Sequence, residues 1–177
     1  MIKQITKQDD FVLLAKLLNA AFGTVTNELG LTKENNPTNS AFITSDELKA
    51  QLIESREFYA YENKGKIVGF IAIEQPLNTP DLFYIEKLAV IPDYRHLGIG
   101  KQLMDFASNR IAKLGGKRIF IGLINSNIIL KNWYGKQGYV EYSVKTFEHL
   151  PFEVSLMEKI IIPDNEILAT DTEDNEK

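Results

Sequence analysis

Apolar residues alternate briefly from Ile2 to Ile5 and then recur at Phe11, Leu14, Leu17, Leu18, Ala21 and Phe22, which predicts a short strand β1 followed by an amphipathic helix α1. Thr6 and Asp9, three residues apart, supply a capping signal ahead of that helix. From Gly23 to Ile43 the periodicity lapses among Gly30, Asn35, Asn36, Pro37 and several hydroxyl residues, so a long irregular connection with at most a helical turn is expected. Connections of that length inside a compact domain are often binding loops. Thr44 and Glu47 form a second capping signal and open α2, whose apolar face carries Leu48, Leu52 and Ile53.

The pattern then switches to strands. Residues 58–62, 67–74 and 82–91 predict β2, β3 and β4 of a meander, separated by turns at Asn63-Lys64-Gly65 and between Pro76 and Pro80. Residues 101–113 predict α3, with Leu103, Met104, Phe106, Ala107 and Ile111 apolar and Gly115-Gly116 as its stop. Residues 118–124 predict β5, residues 127–136 a helix α4 ended by Gly138, and residues 139–147 and 153–161 the strands β6 and β7. The order β α α β β β α β α β β defines an α/β (α+β) domain over residues 1–163, with antiparallel strands first and one central strand-to-helix junction.

Composition narrows the chemistry. A chain of 177 residues can bury a core without covalent staples, and it contains no cysteine, which excludes a thiol nucleophile, disulfides and cysteine-ligated metal. His96 and His149 are the two histidines, too few for a histidine-rich metal site, so no metal is expected. The net charge of −4 is uneven, because residues 164–177 hold six of the 24 acidic side chains and one of the 20 basic ones. The body is therefore near neutral and lacks the basic stripe of a nucleic-acid binder. The acidic segment reads as a solvated, mobile tail. No apolar run reaches membrane-spanning length and the first residues lack a signal-peptide core, so a cytoplasmic protein without membrane partners is expected.

The segment Arg95-His96-Leu97-Gly98-Ile99-Gly100 occupies the junction between β4 and α3. A strand that passes through small residues directly into a helix leaves unpaired N–H groups at the positive end of the helix dipole, a natural phosphate site. It is not a Walker A loop, since no Gly-Lys-Ser or Gly-Lys-Thr follows. Nor is it a dinucleotide fingerprint, which requires three glycines after the first strand and an acidic residue further on.

The spacing Arg95-x-x-Gly98-x-Gly100, preceded by Leu88-Ala89-Val90-Ile91, resembles the acetyl-CoA signature of the GNAT superfamily of N-acetyltransferases. Downstream, Asn127, Tyr134, Gly138 and Tyr139 resemble the same family's second motif in the helix after β5. The resemblance implies a GNAT fold: a mixed, mostly antiparallel sheet splayed between parallel β4 and β5 and flanked by four helices. It implies acetyl-CoA as acyl donor and direct attack by a primary amine in a ternary complex. Backbone N–H groups from His96 through Leu97, Gly98, Ile99 and Gly100 to Lys101 would then take the pyrophosphate, with Arg95 either pairing with phosphate or pointing into solvent. The main chain of Leu88, Ala89 and Val90 would hold the pantetheine arm as an added strand. Asn127 would bind the same arm, cap α4, or do both.

Tyr134 falls where the family places a general acid for the departing thiolate; packing α4 against the sheet is its alternative role. Glu86 is the best candidate base, because strict alternation puts it on the face of Leu88 and Val90, with Tyr84 next. A β-bulge would reverse that facing, and pairing of Glu86 with Lys87 or Arg118 is the competing role. The acceptor amine is left to the α1–α2 connection and the β6–β7 connection. Glu28, Glu34, Glu148 and His149 are candidate cation contacts there, and Phe22, Phe42, Phe147 and Phe152 candidate apolar walls. A small-molecule acceptor is favoured over a protein N-terminus or lysine, an inactive acyl-CoA sensor is the non-enzymatic alternative, and a homodimer is left open.

Overall fold

The computed structural model describes residues 1–161. The acidic segment 164–177 lies outside them. Strand β1 (Ile2–Gln4) leads into α1 (Phe11–Leu29), but the cap is Asp10 and not the Thr6–Asp9 pair. Leu13 donates its N–H to Asp10 Oδ1 at 3.0 Å, whereas Thr6 gives its own N–H and hydroxyl to Asp9 Oδ2 at 2.8 and 3.0 Å and closes a turn before the helix begins.

Helix α1 also runs well past Gly23, correcting the expected loop. Thr24 and Thr26 donate their hydroxyls to the carbonyls of Ala21 and Gly23, each at 3.1 Å, and so are satisfied inside the helix. Gly30, at φ 63°, ends it where a left-handed residue is needed. The irregular connection is thus confined to residues 31–43. Helix α2 (Ser45–Ala50) carries the capping box as expected: Thr44 accepts from Glu47 N–H at 3.2 Å and Glu47 accepts from Thr44 N–H at 2.8 Å.

Strands β2 (Arg56–Asn63), β3 (Lys66–Glu74), β4 (Leu82–Val90), β5 (Arg118–Ile124), β6 (Val140–Thr146) and β7 (Glu153–Ile160) complete a seven-stranded sheet ordered β1-β2-β3-β4-β5-β7-β6. Every pairing is antiparallel except β4 with β5. Helices α1 and α2 pack Leu14, Leu18 and Leu48 against Phe58, Phe70, Ala72 and Ala89 on one face. Helix α3 (Ile99–Lys113) packs Leu103, Met104 and Ile111 against Ile71, Ile73, Phe83 and Ile119 on the other, where Tyr134 of α4 (Ile128–Gly135) joins them. These are the expected sheet and four helices in three layers, each helix burying one apolar stripe.

Two local features shape the middle of the sheet. Strands β4 and β5 pair only at Leu82–Arg118, Phe83–Ile119 and Tyr84–Phe120. Beyond Tyr84, β4 stays with β3 to Val90 while β5 stays with β7 to Ile124, so the two strands part and leave a cleft. The second feature is a bulge in β4. Ala72 pairs with Glu86 but Phe70 pairs with Ala89, so Lys87 and Leu88 together oppose Ile71, and Lys87 takes φ 52°.

That bulge overturns the expected facing of Glu86. Phe83 and Ile85 pack on the α3 side, and Leu88 and Val90 return to that side after the extra residue; Ala89 packs with α1. Glu86 therefore stands on the face opposite Leu88 and Val90.

Candidate active site

At the mouth of the cleft, β4 passes through a short 3₁₀ turn (Pro92–Tyr94) into the loop that opens α3. His96 and Gly98 both sit in the left-handed region, at φ 61° and 78°. Gly98 is the N-cap of α3 and offers no side-chain cap. The first N–H groups of α3 therefore have no intrahelical or side-chain capping partner, at the positive end of a 15-residue helix. Alternating backbone handedness of this kind gathers N–H groups into an anion-binding concavity.

Gly98 is required by its φ, since a Cβ there would meet nothing closer than Gln102 Nε2 at 4.0 Å. At Gly100 a Cβ would lie against the Trp133 ring at 3.5 Å, so α4 packs directly behind the cradle. His96 and Leu97 are exposed, Ile99 is buried in the α3 core, and Lys101 pairs with Asp105 at 2.6 Å on the outer surface of the helix.

Arg95 turns away from the cradle. Its guanidinium donates to the Val90 carbonyl at 3.1 Å, Thr24 Oγ1 at 3.1 Å and the Ala21 carbonyl at 2.7 Å. It thus ties the loop to the end of β4 and to α1. Ile91 donates its N–H across to Val68 of β3 at 3.0 Å, so the Val90 carbonyl that Arg95 reaches lies on the side of β4 facing away from β3.

Between the parted strands lies a cavity of about 500 Å³. Leu88, Glu86 and Lys87 of β4, Ile121 to Ile124 of β5, and Asn127 and Tyr134 of α4 line its inner part. Phe22 and Val25 of α1, Thr38 to Ser40, and Leu150, Phe152 and Val154 close the outer part. Of the candidate walls, Phe22 and Phe152 are in place, whereas Phe42 and Phe147 do not line this cavity. Glu34, Glu148 and His149 line a neighbouring pocket of about 410 Å³ that shares Leu150, and Glu28 lines neither.

Asn127 caps α4, with Leu130 donating its N–H to Oδ1 at 3.0 Å, which leaves its amide NH₂ free of that task. Tyr134 is 7% exposed and stands between the rings of Trp133 and Tyr139, at 5.0 and 5.6 Å between centroids. Burial alone pushes its phenol well above the usual tyrosine range. The hydroxyl is therefore held protonated at neutral pH, as a hydrogen-bond donor must be.

Glu86 lies 3.4 Å from Arg56 and 3.6 Å from Lys87. Arg56 in turn is bound through Nε and its terminal nitrogen to Glu74, and Arg118 pairs with Asp81, so the competing Glu86 partner is Lys87 together with Arg56. Burial lowers the pKa of the Lys87 ammonium, an effect that Glu86 opposes. Sequence reasoning did not assign Lys87 or Arg56 to the site. Only a bulge brings Lys87 to the cavity, and nothing in the alternation of β4 announces one.

A central sheet parted between its one parallel strand pair, with an uncapped helix entry at the mouth and a half-apolar cavity behind, is the architecture of an acetyltransferase. Residues 13–139 match the model described as the acetyltransferase (GNAT) family, and the chain belongs to that family. It is similar to an uncharacterized N-acetyltransferase of Chlorobaculum tepidum, with 29% identity over 92 residues, spanning 52% of this chain and 55% of that protein. The chain thus matches little more than half the length of that relative.

Among solved structures it resembles the PaiA N-acetyltransferase of Thermoplasma acidophilum, determined in complex with coenzyme A, at TM-score 0.73 and 18% identity over 91% of this chain and 98% of that one. It also resembles a GNAT-family acetyltransferase of Streptococcus pneumoniae, at TM-score 0.69 and 19% identity over 92% and 99%. At these identities the two structures establish the fold. Among the described residues, no helix is long and apolar enough to cross a membrane, and no three His, Asp or Glu side chains converge as a metal site.

Proposed function

We propose that this protein is an N-acetyltransferase that moves the acetyl group of acetyl-CoA to the primary amine of a small acceptor, by direct attack in a ternary complex. The observation that carries the reading is the parting of β4 from β5, which opens a cavity lined by Glu86, Leu88, Asn127 and Tyr134, with the uncapped N–H groups of α3 following directly from the open end of β4. The uncapped N–H donors and the left-handed Gly98, with open space around it, support this loop as the place for the pyrophosphate.

When bound, acetyl-CoA supplies a thioester carbonyl open to attack and a sulfur able to leave as thiolate. His96 to Lys101 hold the pyrophosphate through their main chain. Leu88 and the Val90 N–H offer the β4 edge to the amide groups of the pantetheine arm, whereas Ala89 pairs with Phe70 of β3, and Asn127 offers its NH₂ from the start of α4. Arg95 acts on the coenzyme indirectly, by fixing the loop against α1 and β4.

Glu86 removes a proton from the incoming ammonium, directly or through one water, and N–H groups of the β4 edge stabilise negative charge on the acetyl oxygen. Tyr134 donates its hydroxyl proton toward sulfur as the carbon–sulfur bond breaks and the carbon–nitrogen bond forms. Of the two protons that leave nitrogen in the whole reaction, one ends on the coenzyme thiol and the other in solvent.

The test is release of coenzyme A from acetyl-CoA with and without a broad panel of primary amines. Release that depends on a particular amine supports the enzyme. Tight acetyl-CoA binding with no amine-dependent release across the panel refutes it in favour of a sensor, and acetylation of peptides alone refutes the small acceptor.

A further inference from the structure

The acceptor half of the cavity has a distinctive charge content. Among the described residues its lining contains one carboxylate, Glu86, and one ammonium, Lys87, on adjacent residues with Oε2 and Nζ 3.6 Å apart. Around them the walls are mostly aromatic and aliphatic: Phe22, Val25, Tyr84, Phe120, Phe152 and Val154. Resting on the acetyltransferase reading above, we propose that the acceptor is a free amino acid with an apolar side chain, whose ammonium meets Glu86 and whose carboxylate meets Lys87.

The neighbouring charges point the same way. Arg56 approaches Glu86 at 3.4 Å but is bound to Glu74 through two nitrogens, with a third reaching Gln51 at 3.4 Å, so it is engaged behind the cavity floor. Among the described residues the one ion-pair partner of Lys87 is Glu86, at 3.6 Å; its side chain is 14% exposed, and an ammonium can donate three hydrogen bonds.

Lys87 is also one of only three non-glycine residues at positive φ among those described, and the other two lie in a turn and in the coenzyme loop. A half-desolvated lysine on a strained bulge is poorly placed for stability and well placed for recognition.

An α-amino acid carries its two charges on atoms joined through one carbon, a separation comparable with that of Glu86 and Lys87. Its remaining surface is the side chain, for which the apolar walls provide cover. A polyamine fits less well, because a single carboxylate flanked by two cations must then face several ammonium groups. The cavity of about 500 Å³, shared with the end of the pantetheine arm, leaves room for a compact acceptor.

The test compares free phenylalanine, leucine, methionine and tryptophan with their carboxamides and with spermidine, by acetyl-CoA turnover. Converting the carboxylate to an amide lowers the pKa of the α-amine toward ~8 and makes it intrinsically more available for attack at neutral pH. Preference for the acid therefore reports recognition. At least one free amino acid is expected to exceed its amide by tenfold or more in kcat/KM. Lys87→Gln is expected to reduce that ratio at least fivefold, and Lys87→Arg to retain most of it, with acetyl-CoA binding by both variants confirming that they fold.

Calorimetric titration of the same amino acids into coenzyme A-saturated protein separates the two claims. Binding of the acid over the amide without turnover sustains the amino-acid site and overturns the transferase. An amide or spermidine used as well as the acid, or a ratio unaffected by Lys87→Gln, overturns the amino-acid site and leaves the transferase standing.

Discussion

Replacing Tyr134 with Phe removes one hydroxyl and no carbon, so the ring contacts with Trp133 and Tyr139 survive while the proposed proton donor is lost. Desolvation is the sole cause of the upward pKa shift, and no protein hydrogen bond contributes to it. The fold therefore loses little with the hydroxyl. An ordinary tyrosine near pKa ~10 and a thiol near ~8.5 already differ by about 1.5 units, and burial widens that gap, so Tyr134 serves sulfur as a hydrogen-bond donor more than as a fully dissociating acid.

A hydrogen bond to a developing charge contributes about 1.5–3 kcal/mol. That corresponds to a loss in kcat of about 10- to 150-fold. Because the chain has no cysteine, a thiol-reactive chromophore reports released coenzyme A with no background from the protein. Steady-state kcat should fall within that range, acetyl-CoA affinity should change less than twofold, and the melting temperature should hold. The phenol stays protonated across neutral pH, so the variant should lower the pH–rate curve without reshaping it between pH 6 and 9. A kcat within twofold of the parent protein would refute Tyr134 as the donor.

Other consequences follow from the packing and the loop. Gly116→Ala would drive a Cβ into Ile111 and to 2.6 Å from Phe83, both fully buried, so a loss of about 2–3 kcal/mol and a fall in melting temperature of roughly 5–10 °C are expected by thermal unfolding; an unchanged melting temperature would contradict the close approach. Arg95→Ala removes three hydrogen bonds that join the coenzyme loop to α1 and β4, and should cost about 1–3 kcal/mol of stability and weaken acetyl-CoA binding at least tenfold by calorimetry; tight binding in the variant would show that the loop holds its shape unaided. Glu57 is clasped by Arg110 at 2.9 and 2.6 Å and accepts from Tyr59 at 2.7 Å, which holds its carboxyl below the usual glutamate range. A depressed folded-state pKa means that stability is present above the unfolded value of 4.5 and lost as pH falls through the folded one. Glu57→Gln should therefore destabilise at pH 7, with the difference from the parent closing in acid, and a pH-independent difference would refute the ion pair as its source.

What the sequence disclosed was local. The Thr44–Glu47 box, the stop at Gly115 and Gly116, and the glycines Gly98 and Gly100 at the start of α3 each act within a few residues, and each could be read directly. Helix α1 was read short because Gly23, Thr24 and Thr26 have the composition of a loop; tertiary burial of Thr26 and back-bonding to the helix carbonyls outweighed their propensity. The Lys87 bulge left no trace at all. It places a lysine where a glycine would have announced positive φ, and it inverts the face of Glu86 against the β4 alternation. The cavity itself joins residues more than a hundred positions apart, from Phe22 to Val154, and only the parting of β4 from β5 brings them together.

The most direct test of the cleft is a crystal structure of the protein with acetyl-CoA. The pyrophosphate is expected within hydrogen-bond distance of main-chain N–H groups between His96 and Lys101, the pantetheine arm between β4 and β5 against Leu88 to Val90, and sulfur within reach of the Tyr134 hydroxyl. Coenzyme bound elsewhere, or sulfur directed away from α4, would contradict that placement.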